Sequence, residues 1–200
     1  MSAGSCPLCG QPAPSAAALC GYCLLVAGAE YEYRTVTVLG RGEHGTVYLA
    51  EQVPGNRLVA VKVLNDGRDL DALMERVEVC REALSRLGHH GTARTIDVGV
   101  TDAGRPYVVS EFVQGLPIDR YWRRSMLDDA RRTHLVRAIG DLIHTVHAAG
   151  IIHGGIKPTN VLVVPTAGVP LVRVLDFGLR AGSAAEDLAA LAVLTESLSA

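Results

Sequence analysis

The stretch YRTVTVLGRGEHGTVYLAEQ, residues 33–52, consists of two strand-like runs on either side of a glycine-rich turn. β-Branched and aromatic residues are frequent in both runs, which predicts a pair of antiparallel strands. Gly40, Gly42 and Gly45 lie in the turn with G-x-G-x-x-G spacing. Because glycine has no side chain, backbone N–H groups in such a turn can approach phosphate oxygens closely. The stretch therefore predicts a phosphate-binding hairpin.

The residues that follow the glycines distinguish between two kinds of nucleotide site. A dinucleotide site has a helix directly after the glycines, whereas residues 46–49 continue here as a strand. The next run, RLVAVKVL at residues 57–64, predicts a third strand in which Lys62 has apolar neighbours. We interpret Lys62 as a phosphate contact, and the alternative is a solvated lysine at a strand end.

Residues 69–87 predict an amphipathic helix, since apolar residues recur at steps of three and four. Cys80 lies on the apolar face and is interpreted as a small core residue. Three glutamates, Glu75, Glu78 and Glu82, share a different face. One of them could pair with Lys62.

A second amphipathic pattern, residues 127–150, precedes the loop HGGIKPTN at residues 153–160. The sequence Asp176-Phe177-Gly178 begins sixteen residues after Asn160, and two short strand-like runs lie between them. This spacing suits two oxygen ligands, from Asn160 and Asp176, that converge on Mg²⁺.

The order of these motifs resembles that of bacterial serine/threonine protein kinases of the eukaryotic type, over about residues 31–198. The resemblance implies an α+β, two-lobed protein-kinase-like fold, with ATP and Mg²⁺ as cofactors. A small antiparallel sheet and one helix would form a small lobe at residues 30–113. A truncated helical large lobe would occupy residues 114–200, and a short zinc ribbon would precede both at residues 1–29.

The resemblance also implies roles for individual residues. Glu82 would form the ion pair with Lys62. Glu111 and Val113 would offer backbone groups to the adenine edge. The other implied site residues are the adenine-sandwiching Val47, Ala60 and Leu162, the phosphate-binding Gly40, Gly42 and Gly45, and Lys157, Asn160 and Asp176 for catalysis and Mg²⁺.

Two departures from the family pattern concern catalysis. Gly155 occupies the position of the aspartate that takes the proton of the substrate hydroxyl, and losing a general base typically removes about 10²–10⁴ in rate. Only LRAGSAAE, residues 179–186, separates Gly178 from Asp187, where the family has a longer activation segment with an Ala-Pro-Glu element. The residues that hold a nucleotide are thus present, while those that serve a protein substrate are missing.

Four of the five cysteines lie in the first 23 residues, as two C-x2-C pairs with ten residues between them. They predict a tetrahedral thiolate site for Zn²⁺, similar to a short zinc ribbon: Cys6, Cys9, Cys20 and Cys23. Iron, two disulfides or four free thiols are the alternatives. A segment this short cannot bury a core, so the metal would supply its folding free energy.

Composition limits the class of partner. The 200 residues carry a formal charge of −2, and a near-zero charge argues against a nucleic-acid or anionic-membrane surface. No apolar run approaches the roughly 20 residues of a membrane span, and no signal peptide is visible, so we expect a cytoplasmic location. The last helix carries four leucines that either pack inward or require a partner protein or a self-dimer: Leu188, Leu191, Leu194 and Leu198.

Three hypotheses for the function follow. The first is an ATP-binding pseudokinase that acts as a nucleotide-dependent regulatory or scaffold protein. The second is a weakly active atypical serine/threonine kinase or ATPase. The third is a zinc-headed adaptor that binds no nucleotide.

Metal analysis of the purified chain tests the cysteine site. We expect about one Zn²⁺ per chain, because four thiolates complete one tetrahedral site. Replacing all four N-terminal cysteines with serine should abolish metal binding and leave the kinase-like part folded, as judged by far-UV circular dichroism. A metal-free chain, or one that holds iron in this amount, would contradict the assignment.

Overall fold

The computed structural model describes residues 4–5, 12–13, 24–26, 32–42, 45–65, 69–88, 90–101, 104–125 and 127–199. The chain divides into two compact units, of which the first contains residues 1–70 and 95–112 and the second residues 71–94 and 113–200. The four cysteines of the predicted zinc site lie outside the described residues. Within the described part of the chain, no cluster of three or more His, Cys, Asp or Glu side chains could hold a metal ion.

The first unit is built on antiparallel strands. A six-stranded sheet has the order β3-β4-β5-β6-β8-β7, and a separate pair consists of β1 and β2. The predicted hairpin is confirmed, because the strands on either side of the glycine turn pair with each other and the third strand adds beside them. The strands are β1 (Gly4–Ser5), β2 (Pro12–Ala13), β3 (Leu24–Val26), β4 (Glu32–Gly42), β5 (Gly45–Val53), β6 (Arg57–Leu64), β7 (Thr95–Val100) and β8 (Pro106–Glu111).

One face of this sheet forms the core of the first unit. Side chains alternate between the two faces of a strand, and in β6 Val59, Val61 and Val63 are all buried. The rings of Tyr33 and Tyr107 meet edge to face with centroids 6.4 Å apart. The remaining buried members are Tyr48, Ala50 and Val109. The residues that alternate with these along each strand therefore lie on the opposite face of the sheet.

The second unit is mainly helical. Its helices are α1 (Leu70–Leu87, whose first residue falls in the first unit), α2 (Ile118–Arg124), α3 (Asp129–Ala148) and α4 (Ala184–Ser199), and Pro158–Asn160 form one 3-10 turn. Three short strands, β9 (Leu116–Pro117), β10 (Val161–Val164) and β11 (Leu171–Val174), pair in the order β11-β10-β9. The predicted α+β fold, with a small antiparallel sheet and a helical part, is confirmed.

Helix α3 supplies the centre of the second core. Asp128 caps its N-terminus by accepting a hydrogen bond from the backbone N–H of Arg131 at 2.8 Å. The predicted apolar stripe is confirmed, since all five of its members are buried: Leu135, Ile139, Leu142, Ile143 and Val146.

The leucines of α4 divide between the core and the surface. Leu194 and Leu198 are buried in the second core, and Leu191 packs partly against it. Leu188 stays 54% exposed. The leucines in the last turns of α4 therefore pack inward, as one of the two alternatives predicted. The apolar surface left for a partner is smaller than four exposed leucines would give.

Helix α1 groups with the second unit, which differs from the small-lobe boundary of residues 30–113 expected from the sequence. The reason is that Leu84 joins the second core, and that the chain after the helix bonds to β11. The backbone N–H of Ala93 donates to Val174 O at 2.9 Å, and the N–H of Val174 donates to Gly91 O at 2.7 Å.

Among the described residues, no helix combines the length and the apolar character that crossing a bilayer takes.

Candidate functional site

At Gly45 of the hairpin, the backbone conformation itself requires a glycine. Gly45 has φ +148°, and a Cβ there would overlap the carbonyl oxygen of Val63 on the neighbouring strand. Only glycine fits a position with this dihedral angle and this close strand contact.

The other two glycines are not required by the surrounding protein. A Cβ on Gly40 or on Gly42 would meet no described atom within 4 Å, although Gly42 pairs directly with Gly45 across the hairpin. Open space over a glycine backbone is the condition under which a ligand can approach the N–H groups closely. These two positions therefore fit a ligand contact.

Lys62 lies on the sheet face opposite the tyrosine and valine core. Residues directly opposite each other in antiparallel strands share a face, and Lys62 pairs with Val47 on β5 and with Val108 on β8. Ala60, two residues before Lys62, shares that face and pairs with Ser110. Val47, Ala60 and Lys62 are all half-buried. The sheet thus brings the predicted adenine contacts Val47 and Ala60 to the same face as the lysine.

The remaining predicted adenine contacts follow along the chain. Glu111 ends β8, and Val113 comes just after it, with its carbonyl accepting the N–H of Gly115 at 2.9 Å. Leu162 lies on β10, half-buried, on the side opposite the fully buried Val161 and Val163. Their contact with an adenine ring stays a prediction.

The loop of residues 153–160 is braced by hydrogen bonds from a buried histidine. His153 is 1% exposed, its Nε2 lies 2.8 Å from Leu175 O, and its Nδ1 accepts the N–H of Gly155 at 3.1 Å. Because Nδ1 accepts, Nε2 carries the proton and the ring is neutral. Burial lowers the pKa of His153, against the opposing attraction of the Asp187 and Asp176 carboxylates.

A buried carboxylate holds the same loop from the other side. Asp187, near the start of α4, is 1% exposed. Its Oδ2 accepts the N–H of His153 and its Oδ1 the N–H of Gly154, both at 2.8 Å. Nε2 of His147 lies 2.9 Å from Oδ2. A carboxylate out of water needs such partners, and together they fix the position of the loop relative to α4.

Asn160 and Asp176 fit the chemistry of a magnesium site. The Asn160 Nδ2 donates to Gly155 O at 3.0 Å, which leaves its Oδ1 as a possible ligand. The N–H of Leu175, next to Asp176, donates to Asn160 O at 2.8 Å. Asp176 itself has φ +68°, an unusual value for a residue other than glycine. Amide and carboxylate oxygens are the donors that Mg²⁺ takes.

The geometry of α1 does not favour the role expected for Glu82. Its side chain is 54% exposed and forms an (i, i+4) ion pair with Arg86 at 2.9 Å. The helix face that meets the Asp-Phe-Gly turn carries Cys80, whose Cβ lies 3.2 Å from where a Cβ on Gly178 would be. Burial raises the pKa of the Cys80 thiol, in accord with the predicted core role. The pairing of Glu82 with Lys62 stays a prediction.

Arg180, Asp187 and His153 shape the site, although none of them was predicted as a site residue. A Cβ on Gly155 would lie 3.0 Å from Arg180 Cδ, so the arginine side chain covers the position from which the acid is missing. Lys157 is exposed beside the 3-10 turn. The signal available in the sequence was the shortness of residues 179–186, which forces the chain after Gly178 to stay close to the loop.

Comparison with known sequences identifies relatives. Residues 33–196 match the family model of the protein kinase domain. The chain is 35% identical over 149 residues to the serine/threonine-protein kinase Pkn1 of Myxococcus xanthus, covering 74% of this chain and 21% of that protein. It is 33% identical over 150 residues to the probable serine/threonine-protein kinase PknB of Lactococcus lactis, covering 74% of this chain and 23% of that protein. The chain thus spans about a quarter or less of the length of these curated relatives.

Solved structures support the same fold. The kinase domain of Mycobacterium tuberculosis PknI superposes with a TM-score of 0.66 at 23% identity, covering 87% of this chain and 75% of that one. A double mutant of that domain gives a TM-score of 0.69 at 22% identity, with the same coverage.

The neutral state of His153 predicts a pH-dependent stability. A histidine whose folded pKa is lowered stabilises the fold fully above its unfolded pKa of about 6.5, and the contribution is lost as the pH falls below that value. We expect the urea midpoint to fall between pH 7.5 and pH 5. The fall should be smaller in His153→Gln, whose amide does not titrate.

The matched control is His144→Gln, because His144 is exposed on α3. It should keep the pH dependence of the unmodified chain. Equal pH dependence in the His153 and His144 variants would show that the buried ring is not the group responsible.

Proposed function

Since this chain belongs to the protein kinase family, with bacterial serine/threonine kinases of the eukaryotic type among its relatives, we propose that it binds ATP with Mg²⁺ without efficient phosphoryl transfer. In this proposal it is a pseudokinase whose nucleotide-bound state serves as a regulatory or scaffold signal. Its relatives are much longer proteins, and the activities of those whole proteins are not attributed to this chain.

The loop of residues 153–160 is the observation that carries the proposal. Asn160 is oriented by its bond to Gly155 O, and the backbone of the loop is bonded to Asp187. Residue 155 nevertheless has no side chain that could take a proton. Phosphoryl transfer relies mainly on positioning and on charge stabilisation, and a catalytic aspartate receives the hydroxyl proton. A loop that is fixed by hydrogen bonds but lacks that aspartate is suited to nucleotide binding and poorly suited to catalytic turnover.

Each unit, taken by itself, carries residues that we assign to the nucleotide or to its metal ion. In the first unit, the open backbone at Gly40 and Gly42 and the cation of Lys62 are assigned to phosphate oxygens. In the second unit, Asn160 and Asp176 are assigned to Mg²⁺. When bound, the metal would neutralise charge on the phosphate groups.

The regulatory role requires another molecule that reads the bound state. We propose a protein partner or a second copy of the chain, in a cytoplasmic setting. The exposed apolar residues Leu188 and Val193 of α4 support this, since they are 54% and 67% exposed, and apolar surface of this kind is a frequent element of protein contacts. The zinc ribbon would be a docking or structural module.

Thermal unfolding with nucleotide tests the proposal. ATP with Mg²⁺ should raise the melting temperature, because a ligand that binds only the folded state stabilises it by about 2.7 kcal/mol at 100 times its Kd. That gain corresponds to about 2–4 °C per kcal/mol for a chain of this size. Lys62→Ala should lose most of the shift. No shift of the unmodified chain at millimolar ATP would leave the zinc-headed adaptor as the remaining hypothesis.

Phosphate release and autophosphorylation distinguish the pseudokinase from a weakly active kinase or ATPase. We expect turnover of the unmodified chain to equal that of Lys62→Ala, since no side chain at residue 155 takes the proton. Turnover clearly above that of the lysine variant, in protein purified identically, would favour the enzyme.

Gly42 and Gly45 of the hairpin predict a contrast between binding and stability. Gly42→Ala should weaken ATP binding severalfold and leave the ligand-free melting temperature unchanged, because its Cβ meets no atom of the described residues within 4 Å. Gly45→Ala should destabilise the fold by about 1–3 kcal/mol, because of its positive φ and its contact with Val63. Titration calorimetry and urea unfolding measure the two effects. A Gly42→Ala variant that binds ATP normally would remove the hairpin from the nucleotide site.

A further inference from the structure

The short segment that follows the Asp-Phe-Gly turn packs directly on the loop with the missing acid. Gly154 has φ +73°, and a Cβ there would lie 2.5 Å from Arg180 O and 3.1 Å from Ala181 O. A Cβ on Gly182 would lie 2.7 Å from the Cα of Gly154. The two backbones therefore touch, and the contact is possible because neither Gly154 nor Gly182 has a side chain.

Next to this backbone contact, the side chain of Arg180 lies close to Gly155. The point where a Cβ on Gly155 would lie is 3.0 Å from Cδ, 3.8 Å from Nε and 3.9 Å from Cγ of Arg180. The arginine thus passes over the face of Gly155 and takes space that a side chain at residue 155 would use. Arg180 is exposed to solvent, so a ligand can reach it.

The charge at this position is opposite to that of the missing acid. A base that takes the proton of an attacking hydroxyl lies next to the terminal phosphoryl group of the nucleotide. A guanidinium stays protonated at any relevant pH and cannot serve as that base. It can, however, bind phosphate oxygens with two parallel N–H groups. The same space is therefore suited to anion binding and unsuited to proton abstraction.

We propose that Arg180 binds the terminal phosphate of a nucleoside triphosphate and gives this chain its preference for triphosphate over diphosphate. The proposal rests on the proposed binding of ATP and deepens it. Arg180 is a specificity-determining residue here, and Gly155 is the residue that makes room for it. The absent acid and the short segment are then two parts of one arrangement.

A matched pair of variants separates this role from simple space filling. Arg180→Met keeps a long unbranched side chain over Gly155 and removes the charge, whereas Arg180→Lys keeps the charge. Titration calorimetry of the full chain with ATP·Mg²⁺ and with ADP·Mg²⁺ measures both affinities. We expect Arg180→Met to bind ATP about tenfold more weakly, as the loss of one charged phosphate contact predicts, and to bind ADP within about twofold of the unmodified chain.

Arg180→Lys should bind ATP more tightly than Arg180→Met. Circular dichroism and the ligand-free melting temperature, which should match among the three proteins, exclude misfolding. Equal ATP affinity of Arg180→Met and the unmodified chain would overturn the role of Arg180 while leaving the proposed ATP binding intact. Equal loss for ATP and ADP would place the contact away from the terminal phosphate and also overturn it. No ATP binding by the unmodified chain would overturn both proposals together.

Gly155→Asp supplies a second, independent readout. The new carboxylate would lie against Arg180, where an ion pair would compete with the phosphate. We expect weaker ATP binding and an unchanged affinity for ADP. Unchanged ATP affinity in this variant would contradict the proposal, because a carboxylate at that position could not leave an arginine–phosphate contact unaffected.

Discussion

The carboxylate of Asp187 is buried at the start of the last helix and accepts the backbone N–H groups of His153 and Gly154 at 2.8 Å. A buried carboxylate is costly without such partners, so helix α4 and the loop are held to one arrangement. His153 in turn bonds to Leu175 O at 2.8 Å and packs on the Phe177 ring, with centroids 4.7 Å apart. The backbone next to Asp176 is thereby tied to the same network, which makes the second unit one continuous support for Asn160 and Asp176, the residues proposed to bind Mg²⁺.

That support leaves little room for the chain after Gly178. Because α4 must begin close to the loop, residues 180–182 lie against Gly154 and Gly155, where side chains would collide with them. The glycines at 154 and 155 and the short connection to α4 are therefore physically coupled. Enlarging Gly154 would displace the connection, and the φ of +73° at this position favours glycine in addition. The proposed outcome is a site that keeps its contacts to phosphate and metal and gives up proton abstraction.

Much of the fold was predictable from the sequence, because periodicity reports burial. The hairpin, the third strand, the α1 and α3 helices and the two strands before Asp176 are all confirmed. The helices have a three-to-four spacing of apolar residues, and the strands are short runs rich in β-branched residues. The predicted pairing of Lys62 with a glutamate of α1 was harder to assign to one residue. Three glutamates on α1 all lie off the apolar stripe, and that stripe, which includes Cys80 and Leu84, is the face that packs. The proposed role of Arg180 depends on a contact between residues far apart in the chain, and no local pattern encodes it.

The most direct test of the account is a crystal structure of the chain with ATP and Mg²⁺. We predict an intact triphosphate, with a metal ion bound by Asn160 Oδ1 and the Asp176 carboxylate at the short distances typical of Mg²⁺–oxygen bonds. A nucleotide absent at saturating concentration, or a metal bound without either of these two residues, would contradict the claim that this kinase-like chain retains nucleotide binding without its catalytic acid.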